Sequence, residues 1–115
     1  MRTMPNWPAI IRYRGEGELA FVENFQQWQH DPDLSEFVYQ DGDVLIDSQG
    51  YFYLPQYDEN TGSVELLASG ERLPLQEFCR LVQTHLGALG QCCISKMDLA
   101  SYEEGFRLIE QTLGH

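Results

Sequence analysis

Basic residues are scarce in this chain, and over one long interval they are missing. Seven Lys or Arg stand against 18 Asp or Glu, which leaves a net charge of −11. Between Arg14 and Arg72 there is neither Lys nor Arg, while 13 acids run from Glu16 to Glu71. Such a surface repels a phosphate backbone or an anionic bilayer, so neither nucleic acid nor membrane is an expected partner. Cysteine is also sparse. Three cysteines, two of them adjacent, make no disulfide framework and point to a reducing, cytoplasmic setting. No apolar run approaches the roughly 18–20 residues of a membrane span. Met1-Arg-Thr-Met-Pro-Asn-Trp-Pro8 lacks the apolar stretch of a signal peptide. Internal repeats and low-complexity tracts are absent as well.

What is present suffices for one core. A chain of 115 residues, 43% of them hydrophobic, is the size of a single domain. Residues 1–115 are therefore read as one unit. Its centre is Asp43-Val-Leu-Ile-Asp-Ser-Gln-Gly-Tyr-Phe-Tyr-Leu54. Val44–Ile46 and Tyr51–Leu54 are β-branched or aromatic, as pleated surfaces favour, and Ser48-Gln-Gly50 supplies a tight turn. Neither arm alternates cleanly between apolar and polar. That predicts a central hairpin covered in part on both faces.

Upstream, Pro8–Arg14 and Glu18–Val22 flank Gly15-Glu-Gly17 and predict another hairpin. Asn24, with Gln27 three residues on, predicts the start of a short helix that carries Phe25 and Trp28 on one face. It must stop near His30, because Asp31 precedes Pro32. Pro32–Glu36 reads as irregular and Phe37–Gln40 as a short strand or extended loop, followed by an Asp41-Gly42 turn. Downstream, Pro55 is expected to close the central hairpin, and Ser63–Leu67 to form a further strand ended by Ser69-Gly70. The period then changes. Leu75, Phe78, Cys79, Val82 and Leu86 form a helical stripe. Gln91–Ser95 is β-like. Ser101 and Glu104 cap a last helix with Tyr102, Phe106, Ile109 and Leu113 on its apolar face. The expected class is α+β, with an antiparallel sheet of four to five strands. Two C-terminal amphipathic helices pack on one face, and one short helix lies near the N-terminus.

Chemistry-bearing residues form no convincing set. Cys79, His85, Cys92 and Cys93 are zinc-ligand types, but they lack a Cys-x2-Cys pair, and neighbours on a strand point to opposite faces. Core packing explains them better than a metal or a reactive thiol, although Lys96 near Cys93 could favour a thiolate. His30, His85 and His115 are scattered. Asp41, Asp43 and Asp47 do not follow a calcium-loop pattern; turn chemistry accounts for Asp41 and solvation for the other two. No catalytic, cofactor-binding or metal residue is assigned, and no cofactor is implied. The 14 aromatics (two Trp, six Tyr, six Phe) exceed what one helical layer should bury. Tyrosines such as Tyr51, Tyr53 and Tyr57, ringed by acids, would make an interface patch on an open sheet face.

Pro8-Ala-Ile-Ile11, Val44-Leu-Ile-Asp-Ser-Gln-Gly50 and His85-Leu-Gly-Ala-Leu-Gly-Gln-Cys-Cys-Ile-Ser-Lys96 resemble an uncharacterised family of short gammaproteobacterial proteins, a domain of unknown function. The segment from Gly90 to Lys96 is its most specific part. The resemblance spans nearly the whole chain and implies a single cytosolic domain. It carries over no activity, cofactor or catalytic residue. The residues themselves favour a non-catalytic protein-interaction or accessory domain that uses an acidic, aromatic-rich sheet face, with a protein partner or a second copy of the chain. The alternative is a small metal- or thiol-dependent protein built on the Cys92–Cys93 region. A third reading holds a small molecule under the sheet. Whether the chain is an enzyme stays open at this level.

Overall fold

The first two strands are joined by a tight turn, and the second hairpin extends the same sheet. The computed structural model describes residues 4–90 and 98–112. In chain order its elements are β1 (Ala9–Arg12), β2 (Leu19–Val22), α1 (Phe25–His30), α2 (Pro32–Ser35), β3 (Val44–Asp47), β4 (Tyr51–Asp58), β5 (Ser63–Arg72), α3 (Leu75–Ala88) and α4 (Tyr102–Gln111). The class is α+β. Five strands lie in the order β2-β1-β3-β4-β5, and every neighbouring pair is antiparallel.

The register explains why the central strands do not alternate. Phe21, Ile10, Ile46 and Phe52 form one cross-strand row, and Ala20, Ile11, Leu45 and Tyr53 form the next. Successive residues on a strand point to opposite faces. Ile10 and Ile46 join a core with Phe78, Val82, Leu86, Phe106 and Ile109 of α3 and α4. Ile11, Leu45 and Tyr53 join a separate core with Trp28, Leu34 and Val64. Both sides of the sheet are thus buried. The bare second face expected from the aromatic surplus does not exist beside β1 and β3.

Local signals place most ends. Asn24 caps α1 by accepting the Gln27 amide at 2.8 Å, and Gln27 Oε1 accepts the Glu23 amide at 2.7 Å. Ser101 caps α4 by accepting the Glu104 amide at 3.2 Å. Gly50 turns β3 into β4 at φ +88°, and a Cβ there would also meet the Tyr102 ring at 2.6 Å. A side chain at this position is therefore excluded twice, by the left-handed backbone and by α4.

Three expectations need correction. Pro32–Glu36 is not irregular, since Pro32–Ser35 form α2, so the N-terminal half carries two short helices. The extended Asp31 that stops α1 also caps α2, accepting the Asp33 amide at 2.9 Å. Of the two alternatives for Phe37–Gln40, the loop is found; the Tyr39 hydroxyl donates to the Leu34 carbonyl at 2.9 Å and holds the segment over the sheet. Pro55 does not close β4, which runs on to Asp58. The β3 ladder ends at Tyr53, so at Pro55 only β5 remains as a neighbour and a missing N–H is tolerated. Ser69-Gly70 does not end β5. A register shift opposite Tyr51–Tyr53 absorbs these residues, with Gly70 at φ +82° and Ser69 Oγ donating to the Phe52 carbonyl at 3.2 Å. The expected strand at Gln91–Ser95 lies outside the described residues.

Candidate functional site

The proposed metal or thiol group does not assemble from the residues described. Cys79 lies in the buried stripe of α3, and Cys92 and Cys93 fall outside the described residues. His85 is 3% exposed, and its Nδ1 accepts the Leu19 amide at 2.8 Å. The ring proton therefore sits on Nε2, which faces Thr112 Oγ1 at 3.5 Å. This imidazole ties β2 to α3 and to the end of α4. Among the described residues, no three His, Cys, Asp or Glu are grouped to hold a metal ion.

Burial lowers the His85 pKa from its ordinary value, with Glu18 opposing. Unfolded chains thus take up the proton before the native state does. Stability from this group is complete above the ordinary histidine value of about 6.5 and is lost as the pH falls below it. Denaturation midpoints measured from about pH 7 to 5 should fall for the native sequence. They should fall less for His85→Asn, whose Oδ1 still accepts the Leu19 amide. Equal slopes for the two proteins would refute this role.

Asp43 and Asp47 are not solvated. Asp47 is fully buried, and its two oxygens accept four bonds. Oδ2 receives the Asn6 amide at 3.0 Å and Asn6 Nδ2 at 2.9 Å; Oδ1 receives the Gln49 and Tyr51 amides, each at 2.9 Å. Asp43 accepts the Arg14 amide at 2.7 Å and the Gln40 amide at 2.8 Å. Both carboxylates thereby satisfy turn backbone that has no strand partner. Their position beside Gly-containing turns was the one available sequence signal.

The aromatic surplus is mostly internal. Tyr13 stacks on Tyr39 at 6.3 Å, Phe37 meets Tyr39 edge-on at 4.9 Å, and Trp28 lies 6.0 Å from Tyr39. Burial, then Tyr13 and Asp43, pushes the Tyr39 hydroxyl far above the ordinary phenol value. Burial, then Asp43, also raises that of Tyr13. Neither phenol is a base near neutrality. Tyr51 stays exposed at the start of β4, and most other exposed apolar side chains lie on the far half of the β4–β5 hairpin and the segment crossing it: Leu54, Tyr57 and Leu67, with Phe37 and the 82%-exposed Val38. Leu54 and Leu67 are a direct cross-strand pair. Phe37, Val38, Pro55 and Tyr57 line a cleft of about 300 Å³. A second cavity, of about 450 Å³, lies beside β5 between Phe25, Trp28, Val64 and Leu66.

The described residues form an α+β fold around an antiparallel sheet that is covered on both faces beside β1 and β3. A model of the DUF4144 family, described as a protein structure with unknown function, matches residues 7–109. The chain belongs to that family. It is also similar to an NMR structure of a protein from Shewanella amazonensis, a gammaproteobacterium, at 26% identity and a TM-score of 0.68. That similarity covers 98% of this chain and 94% of the other. The comparison with curated proteins found no match. The family and its solved relative carry no stated activity. Among the described residues, no helix is long and apolar enough to cross a membrane.

Proposed function

We propose that this chain is a non-catalytic interaction domain that receives an extended, basic polypeptide segment along the outer edge of β5. The carrying observation is that ten-residue edge, which among the described residues has a strand neighbour on one side only, together with the cavity beside it. An edge strand offers its unpaired amides and carbonyls to an added strand, and adjacent pockets select alternate side chains. Val64 and Leu66 share the face that opens on Trp28, so every second side chain of a docked segment would meet that cavity. Charge selects the partner. Glu65 and Glu71 lie on β5, Asp58 and Glu59 at its turn, and no Lys or Arg occurs from Gly15 to Glu71.

A second copy of the chain would bring the same acids to the edge, which disfavours a homodimer through β5. The exposed Tyr57, paired with Val64 across the hairpin, extends the contact on the same face. The few cysteines support work in the reducing cytoplasm. The test is a titration with a peptide as long as β5 that alternates Val and Lys, with a Val/Glu peptide as control. β5 amides should gain protection from hydrogen exchange and the Trp28 indole signal should shift with the basic peptide alone. No change at β5, or an equal response to the acidic peptide, would sink the reading. A dimer forming without peptide through the same amides would replace the partner with a second copy.

A further inference from the structure

Three of the chain's seven basic residues meet in one groove on a different part of the surface. Arg12 ends β1, Arg72 ends β5, and Arg80 lies on α3. They line a cavity of about 680 Å³ whose wall includes Phe52 and Leu73. That is the size of a small-molecule site, roughly 300–1,000 Å³. Glu71 and Glu77 also line it, so the groove sums to +1 within a chain of −11. None of the three arginines makes an ion pair among the described residues, although two carboxylates share the cavity. The ion pair that does occur is Arg107–Glu103 on α4. Stacking accounts for Arg72, but no side-chain hydrogen bond or ion pair among the described residues accounts for Arg12 and Arg80 beside it.

Arg72 is already oriented. Its Nε donates to the Gln49 carbonyl at 2.7 Å, and its guanidinium lies 5.2 Å from the Tyr51 ring and 4.9 Å from the Tyr102 ring. The Tyr102 hydroxyl is in turn anchored on the Leu73 carbonyl. Stacking between two rings fixes the planar fork and leaves its terminal N–H groups to an incoming acceptor. Less side-chain freedom is then lost on binding. α3 starts at the same groove, and Pro74 gives it no side-chain cap. We infer that this groove binds a small multivalent anion bearing phosphate or carboxylate groups, held by Arg12, Arg72 and Arg80.

The test is a titration of isotope-labelled full-length protein with inorganic pyrophosphate, and in parallel with citrate, against sodium chloride at matched ionic strength. The Nε–H signals of the three arginines should shift saturably with at least one of the two anions. A response to pyrophosphate alone assigns phosphate chemistry; a response to citrate alone assigns carboxylate chemistry. The R12Q/R80Q double variant, altered only at exposed side chains, should bind about tenfold more weakly with an unchanged melting temperature. R72K keeps the charge but loses the stacked fork, and should also bind more weakly. No saturable shift with either anion, or binding by R12Q/R80Q as tight as that of the native sequence, overturns the assignment.

Discussion

Asp47→Ala is expected to cost about 3–5 kcal/mol, a large part of the ~5–15 kcal/mol that holds a domain of this size together. The fully buried carboxylate accepts from Asn6 twice, from Gln49 and from Tyr51. Alanine leaves those donors without an acceptor and removes the carboxylate link between the N-terminal segment and the central turn, where Ser48 still bonds to the Asn6 carbonyl. Asp47→Asn is the sharper variant. Its amide oxygen can still serve the Gln49 and Tyr51 amides, but its NH2 then faces two Asn6 donors. It should fall between the native sequence and Asp47→Ala. Urea midpoints measure both. A loss below about 1 kcal/mol for Asp47→Ala would show that water replaces the carboxylate.

Gly105→Ala should destabilise by about 3 kcal/mol, against the ~1 kcal/mol that alanine normally adds to a helix. The sign is the informative part. A Cβ at this position would stand 2.3 Å from Phe78 Cε2 and 2.9 Å from Leu99 Cδ1. Phe78 cannot yield, because it is fully buried and stacked on Phe106 at 5.4 Å. In the Phe78→Leu background the penalty should shrink, with a coupling above about 1 kcal/mol in a double-mutant cycle. Thermal or urea denaturation reads both effects. A stabilised Gly105→Ala protein would mean that α3 and α4 separate more easily than this packing implies.

Much of the fold was legible because its signals are local. Asn24 with Gln27 and Ser101 with Glu104 act within one helical turn, and Gly50 acts within one β-turn. The stripe from Leu75 to Leu86 needs only the helical period. The same local reading failed where a residue had two roles. Asp31-Pro32 stops α1 and starts α2, and the sequence rule describes only the stop. Ser69-Gly70 has the composition of a strand end, yet Ser69 repairs the ladder by bonding to Phe52 across the hairpin.

The candidate surfaces were far less legible. Asp43 and Asp47 read as solvated because burial depends on partners elsewhere in the chain. Asn6, the partner of Asp47, is 41 positions away. Leu19, whose amide His85 accepts, is 66 positions away. Of the tyrosines placed on an open sheet face, Tyr53 is enclosed under α1 and α2, whereas Tyr51 and Tyr57 stay exposed.

By itself, then, the sequence determined the class of the fold, both hairpins, the capped helix starts and a strongly acidic net charge. Each of these follows from residue type, short-range spacing or summed charge. Only the tertiary structure decided that both sheet faces are covered beside β1 and β3, that among the described residues β5 lies at the sheet's edge beside a cavity, and that Arg12, Arg72 and Arg80 share a groove. These depend on strand order and on which distant segments meet. Side-chain periodicity says that a face is apolar; it does not say what packs against it.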